Sequence, residues 1–387
     1  MSSLFSPSWY RVASLKLKLR GHIAVHRQPY GEELSYLLQD QSKGKIYRFN
    51  PSAHDIIGRM DGRKTVHEIW EAAAERGGDD APTQEETIDL LARLHAADAL
   101  QGDVTPDCQE LFRRAERQRR NAWLRVLNSP LSIKLPLLDP ERFLTVMQPV
   151  AGLLFTPIGF FLWLLAVVPA LVVAVQHWPQ LAADVEKHVY EPWNLLLLAV
   201  IYPVVKAAHE IGHGLATRKW GGEVHEMGIT LLVFMPVPYV DATAASVIPS
   251  KGRRIIVSAA GMMVELMLAS IALTVWLSVE PGIVRLAALN VLLICGISTL
   301  IFNANPLLRF DAYYILKDVI EVPNLAQRST RHLGYLVQRY LFGMEGVTPP
   351  SNRPGEQRWL LSYGLLSGAF KVFITIQIIL FVAGKFF

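Results

Sequence analysis

Long apolar runs dominate the second half of the chain and set it apart from the first half. They cover about residues 151–176, 193–217, 254–279, 283–308 and 361–384. Each run is close to the roughly 20 apolar residues that a helix needs to cross the hydrocarbon core of a bilayer. The pattern therefore predicts an α-helical polytopic membrane protein with about five transmembrane helices, in a membrane domain at residues 151–387.

The first 110 residues follow shorter periods and predict a separate α+β domain. Strands are expected at residues 22–27, 34–39 and 45–49, because strand-forming residues cluster there between turn signals. Three short helices should follow, and their start signals are Asn50 before Pro51 and the capping boxes Thr65–Glu68 and Thr83–Glu86. This order of elements is that of a winged-helix-like domain.

The charge of this first domain argues against a nucleic-acid partner. Residues 1–110 contain 13 Lys and Arg against 17 Asp and Glu, a formal charge of 13 − 17 = −4, whereas the whole chain carries +4. Nucleic-acid-binding domains are usually basic. The basic excess includes an arginine cluster from Arg113 to Arg125, within a linker at residues 111–150. We expect the stretch from Arg113 to Arg125 to form a helix on an anionic membrane surface, which makes residues 111–150 a basic amphipathic juxtamembrane linker, and an ordinary solvated linker is the alternative.

Basic residues near the spans predict which side of the membrane each loop faces. They concentrate before the first span, between the second and third, and between the fourth and fifth, whereas residues 177–192 are mildly acidic. Basic loops tend to stay on the cytoplasmic side. The first residues also lack the apolar core of a secretory signal. The expected location is therefore the bacterial inner membrane, with a cytoplasmic amino-terminal domain.

A HEIGH motif in the second predicted span carries the strongest chemical signal. His209 and His213 are four residues apart, so on a helix both imidazoles lie on one face and can reach the same metal ion. Glu210 would stand beside the open coordination position and suits the general base that activates a zinc-bound water. Ionisable residues at membrane depth are retained mostly for function. We therefore prefer this interpretation to a surface helix with unrelated polar residues.

A catalytic zinc ion normally takes three protein ligands, and Asp311 is the candidate for the third. It lies in the sequence NANPLLRFDAYY, at the end of the fourth apolar run. The distribution of basic residues places this end of the fourth span and the HEIGH motif on the same side of the membrane. All three ligands would then lie at one membrane depth.

The HExxH motif, followed about a hundred residues later by an NP element and an aspartate, resembles the site-2 protease family of intramembrane zinc metalloproteases. The resemblance covers roughly residues 150–387. It implies a site-2-protease-like core, hydrolysis of a peptide bond in a membrane-associated substrate, and Glu210 as the base. It also implies a Zn²⁺ ion held by His209, His213 and Asp311. Asn305 and Pro306 would have supporting roles.

Two positions depart from the pattern of that family. Ala312 stands where many relatives have glycine, and residues 261–265 read GMMVE where relatives often carry a GPxxN-like element. No catalytic role follows for Glu265 from the sequence. Its structural interpretation is a buried ion pair with Lys206 or Lys371, both of which also interrupt apolar runs.

A short β-rich stretch at residues 227–234 separates the second span from the third. It is too short to cross a membrane and runs into Pro236 and Pro238. Non-helical backbone at membrane depth needs protein or a cavity to satisfy its hydrogen bonds, so we expect a hairpin packed beside the active site. This hairpin either holds an extended substrate strand or has a structural role alone.

The segment KIYRFNPSAHDIIGRMDGRKTVHEIW, together with the order of elements around it, resembles PqqD-like modules. The resemblance covers about residues 20–103 and implies binding of a leader peptide by strand addition. The sequence as a whole predicts a peptide-recognition domain joined to a membrane-embedded zinc metalloendopeptidase. The alternative is a non-proteolytic peptide-binding or export accessory subunit that retains the protease fold. The intact Glu210 favours the enzyme, and Ala312 keeps the alternative open. The oligomeric state does not follow from the sequence.

Overall fold

The computed structural model describes residues 6–30, 33–40, 46–77, 82–102, 132–232, 235–344, 347–351 and 353–386. Two compact units make up the chain. One contains residues 1–136 and 229–236, and the other contains residues 137–228 and 237–387. The predicted basic helix at Arg113–Arg125 lies outside the described residues.

The amino-terminal unit contains the small sheet domain that its sequence predicts. Its short outer strands, β1 (Lys18–Leu19) and β5 (Leu100–Gln101), pair with each other. Between these two strands along the chain are the three strands of a separate antiparallel sheet, whose order is β2 (Ile23–Tyr30), β3 (Glu33–Asp40), β4 (Ile46–Phe49). The helices are α1 (Pro51–Gly58), α2 (Val66–Gly77) and α3 (Gln84–Ala96).

Each of these three helices begins with the predicted cap. Oδ1 of Asn50 accepts a hydrogen bond from the backbone N–H of Ala53 at 3.0 Å. The other two helices begin with reciprocal capping boxes, Thr65 with Glu68 and Thr83 with Glu86. Such caps satisfy N–H groups that have no partner within the helix. The apolar face of α3 is buried in the core of the unit through Ile88, Leu91 and Leu94.

Helices make up most of the second unit. In chain order they are α4 (Glu141–Val146), α5 (Gln148–Leu154), α6 (Pro157–Gln176), α7 (Trp178–His188), α8 (Pro192–Lys219), α9 (Lys251–Ser278), α10 (Ile283–Gly296), α11 (Asp311–Val319), α12 (Leu325–Leu336) and α13 (Pro354–Phe386).

Among the residues that the structure describes, five helical stretches are long and apolar enough to cross a membrane, which confirms the number of candidate spans. They are Pro157–Gln176, Pro192–Lys219, Lys251–Ser278, Ile283–Asn303 and Gly355–Leu380. The fourth is composite, because α10 continues as a π-helix from Ile297 to Asn303. It ends five residues before the predicted limit at residue 308, since Pro306 cannot continue a helix.

A polar contact and a glycine hold the long apolar helices together at two places along α8. The side-chain amide of Asn290 in α10 donates to Oδ1 of Asn194 in α8 at 2.7 Å. Hydrogen bonds of this kind within a membrane are worth roughly 0.6–2 kcal/mol each. A Cβ atom at Gly212 in α8 would lie 2.8 Å from Cγ2 of Val264 in α9. The close approach of α8 and α9 at the HEIGH motif therefore depends on this glycine.

Strands β6 (Ser132–Leu138), β7 (Met227–Leu232) and β8 (Met235–Val240) form a third sheet in that order. Strands β7 and β8 confirm the predicted hairpin. Strand β6 lies within residues 111–150, where the sequence predicts a linker and no strand. Its apolar residues alternate with others, and Pro136 suits the edge position that β6 occupies.

The two prolines of β8 define the orientation of this strand. The backbone N–H of Asp241 donates to the carbonyl oxygen of Glu226 at 2.9 Å, across the hairpin. Odd-numbered residues of β8 therefore direct their N–H and C=O groups toward β7, because these groups alternate in direction along a strand. Pro236, Pro238 and Val240 then face the opposite edge, where a missing N–H group breaks no bond of the hairpin.

Candidate metal centre

Both histidines of the HEIGH motif lie beside Asp311, the first residue of α11. Nε2 of His209 lies 3.1 Å from Nε2 of His213. These two nitrogens lie 3.2 Å and 3.3 Å from Oδ2 and Oδ1 of Asp311. A tetrahedral zinc ion with bonds of roughly 2.0–2.1 Å holds its ligands about 3.3 Å apart. The three side chains therefore have the spacing of three zinc ligands and form a candidate metal site.

The donor atoms of this cluster also fit a cation. Nδ1 of His213 lies 2.7 Å from the carbonyl oxygen of Val257, which can only accept, so Nδ1 carries the proton and Nε2 presents a lone pair. Nδ1 of His209 has a similar environment, 3.0 Å from Oε1 of Glu265. Oδ2 of Asp311 is buried and accepts no hydrogen bond from the described residues. Lone pairs and a carboxylate that face one another repel, and a divalent cation between them removes the repulsion.

A turn after the fourth span brings Asp311 to the histidines. Within it, Oδ1 of Asn305 accepts the backbone N–H of Leu307 at 2.9 Å, and Pro306 prevents the helix from continuing. This hydrogen bond lies within the turn and does not reach the metal ligands. The supporting roles of Asn305 and Pro306 at the metal site thus stay a prediction. Burial acts to raise the pKa of Asp311, but the two histidines beside it hold the pKa well below its usual range. Asp311 is therefore ionised, as a metal ligand requires.

Gly261 of α9 lies directly against both imidazoles. A Cβ atom at this position would lie well inside van der Waals distance of Nε2 of His209 and Nε2 of His213. Any side chain here would fill the space that the metal ion needs. Sequence reasoning noted this glycine only as part of a departing motif, although a glycine in an apolar helix is a signal of close approach.

We expect Gly261→Ala to abolish zinc binding, because its methyl group would occupy the metal position. Gly252→Ala is the matched control, since Gly252 lies on the same helix and a Cβ atom there has no neighbour within 4 Å. Alanine is about 1 kcal/mol more favourable than glycine within a helix, so the control should be at least as stable as the wild type. Zinc content of the purified proteins measures the effect, and a full zinc complement in Gly261→Ala contradicts the assigned metal position.

Glu210 lies next to the ligand cluster and is held by the hairpin. Its Oε2 accepts a hydrogen bond from the backbone N–H of Val240 at 3.1 Å. The outer edge of β8 therefore faces α8 at this residue. Pro238 has no N–H group and that of Val240 is taken, so this part of the edge offers acceptors to a peptide and no donor. A substrate strand at this edge would donate its N–H groups to the carbonyl oxygens of β8. If the hairpin has a structural role alone, its edge needs no further partner.

Glu265 is paired with Lys206, one of the two partners that the sequence left open. Nζ of Lys206 lies 2.7 Å from Oε1 of Glu265, and the carboxylate is fully buried. Lys371, the other candidate, is exposed on α13. The contact between Glu265 and His209 was not predicted, because the sequence shows no spacing that joins α9 to the HEIGH face of α8.

The amino-terminal unit has a cleft of its own, of about 540 Å³. It lies where β4 ends and α1 begins, against α3, and its lining includes Arg48, Phe49, Asn50, Thr83, Glu86 and Arg93. Strand β4 is at an edge of its sheet, and an edge strand carries backbone groups that an extended peptide can pair with.

Residues 35–100 match the model of the protein family described as Coenzyme PQQ synthesis protein D (PqqD). The match confirms the PqqD-like domain and covers most of β3, all of β4 and the three helices that follow. No curated protein and no solved structure matches the chain.

Proposed function

We propose that the chain is a membrane-embedded zinc metalloendopeptidase of the site-2 protease type. One observation carries the proposal. His209, His213 and Asp311 meet at the spacing of zinc ligands beside a glutamate, on helices that are apolar enough to cross a membrane. Two histidines and a carboxylate are a ligand set of hydrolytic zinc enzymes. A purely structural zinc site would have no need of Glu210.

Hydrolysis at this site assigns a role to each side chain. Zinc bound there would supply Lewis-acid catalysis. Glu210 accepts a proton from the attacking water and delivers it to the nitrogen of the scissile bond, so the C–N bond breaks after the C–O bond has formed. The N–H group of Val240 holds one oxygen of Glu210 and orients the carboxylate for this transfer.

The experiment that tests the proposal compares protein amino termini in cells that express the wild-type chain and cells that express Glu210→Gln. We expect a small set of new termini in the wild type alone, within or next to apolar segments of membrane proteins or in precursor peptides. Identical sets of termini in the two cultures would contradict protease activity. The comparison also identifies the substrate.

A non-proteolytic peptide-binding accessory subunit is the second candidate function. The PqqD match favours it, because the matched segment carries an edge strand beside a cleft and needs no catalysis to act. Under this function the metal cluster has a structural role. The two candidates differ in one outcome, since the accessory subunit produces no termini that depend on Glu210.

We also predict that the amino-terminal unit binds an extended peptide in its cleft. Selection from a peptide library on the purified full-length protein should yield binders, and Arg93→Glu should weaken their binding because Arg93 lines the cleft. Arg76→Glu is the matched control on α2, outside the cleft lining. Salt-sensitive binding of DNA with no response to peptides would contradict this assignment.

The predicted topology places the amino terminus and residues 309–358 in the cytoplasm and residues 177–192 outside. Single cysteines at the exposed residues Gln180 and Gln338 test it, in a background without Cys108 and Cys295. In intact cells an impermeant thiol reagent should label the first position and not the second. Labelling of Gln338→Cys alone would mean the reverse orientation.

A further inference from the structure

A fully buried carboxylate lies behind the metal cluster, on the side of His209 that faces away from the other ligands. Glu265 of α9 has an exposed fraction of 0%. Its Oε1 lies 3.0 Å from Nδ1 of His209 and 2.7 Å from Nζ of Lys206. Nδ1 is itself buried and makes no hydrogen bond among the described residues, so Oε1 of Glu265 is the acceptor that lies close to it. Glu265 is therefore the group that faces the proton of Nδ1.

The other contacts of Glu265 come from the π-helical end of the fourth span. Ser298 donates to Oε1 at 3.2 Å, and Thr299 and Asn303 donate to Oε2. In a π-helix the hydrogen bonds join residues five apart, so Ser298 and Asn303 are brought to the same face, where their side chains lie 3.2 Å apart. A regular α-helix would turn them away from each other. The π-helix thus aims several donors at one carboxylate.

We propose that Glu265 is a positioning residue of the metal centre. It accepts the proton of Nδ1 of His209, which leaves the lone pair of Nε2 directed at the metal and fixes the plane of the ring. Lys206 and Ser298 contact the oxygen that faces His209 and hold it in place. Carboxylates that orient ligating histidines in this way raise the basicity of the ligand and typically contribute 10- to 100-fold to metal affinity. The proposal rests on the metal centre of the proposed function.

A structural role is the competing explanation, because Glu265 also joins α8, α9 and the π-helix. The substitution Thr299→Val distinguishes the structural role from the positioning role. It removes a donor to Oε2, the oxygen that does not face His209, and keeps the shape of the side chain. It should therefore lower the stability of the helix packing without changing the environment of Nδ1.

The test measures zinc affinity by competition with a chromophoric chelator, on full-length wild type, Glu265→Gln, Glu265→Asp and Thr299→Val. The unfolding temperature of each metal-free protein and the visible absorption of each cobalt(II) complex are recorded beside it. Glu265→Gln should bind zinc about 10- to 100-fold more weakly and shift the cobalt bands. Glu265→Asp keeps the charge beside Lys206 and withdraws the carboxylate from Nδ1, so it should show the same changes even where the glutamine variant does not fold.

Thr299→Val should lose stability and keep the zinc affinity and cobalt spectrum of the wild type. The positioning role would be overturned if the Glu265 variants bound zinc as tightly as the wild type. It would also be overturned if their zinc affinity fell only in proportion to their stability, as in Thr299→Val. Either result would leave the metal centre intact. A wild-type protein that binds no zinc is a different result, and it would overturn the metal centre of the proposed function together with this inference.

Discussion

Purified Glu210→Gln protein should retain its zinc and lose proteolysis. Glutamine has nearly the shape of glutamate, and its amide oxygen can still accept the N–H group of Val240, so the site should keep its geometry. An amide cannot accept the proton of the attacking water at neutral pH. Since general-base catalysis contributes about 10²- to 10⁴-fold, we expect a loss of that order or more in cleavage rate.

Zinc content and cleavage of a substrate identified by its new terminus should be measured on the same preparation. Glu223→Gln is the matched control, because it makes the same chemical change on the exposed segment that follows α8. Glu223 contacts His225 and not the metal cluster. It should cleave at the wild-type rate. Normal proteolysis by Glu210→Gln would rule out the protease mechanism, whereas loss of zinc from this variant would mean that Glu210 belongs to the ligand set.

Features that depend on neighbours along the chain could be predicted from the sequence. The apolar runs specify the candidate spans, and the caps of α1, α2 and α3 are set by residues three apart. The spacing of His209 and His213 likewise predicts one shared face, because four residues make about one helical turn. These predictions hold since a helix determines its own geometry before it packs against anything else.

Features that depend on packing could not be predicted in the same way. The charge of Glu265 demanded a partner, but two lysines were equally suitable until the helices were placed, and Lys371 lies exposed on α13. The approach of Gly261 to both imidazoles is a contact between α8 and α9 that no local spacing encodes. The π-helix at the end of the fourth span could not be predicted either, because its sequence resembles that of an ordinary apolar helix, and the acceptor of its polar side chains, Glu265, lies on another helix.

Asp311→Asn should lose zinc and proteolysis together, in contrast to Glu210→Gln. The amide keeps the size of the side chain but removes the charge that balances the cation. Changing a residue that only contacts a metal ligand already lowers metal affinity about 10- to 100-fold. For the ligand itself we therefore expect zinc affinity to fall by more than about 100-fold. Asp318→Asn on the same helix is the control. It breaks a buried pair with Arg254 and should cost about 3–5 kcal/mol of stability while its folded fraction keeps zinc. Wild-type zinc affinity in Asp311→Asn would remove Asp311 from the ligand set, because a folded site that binds the ion equally well without this carboxylate must take its third ligand from elsewhere.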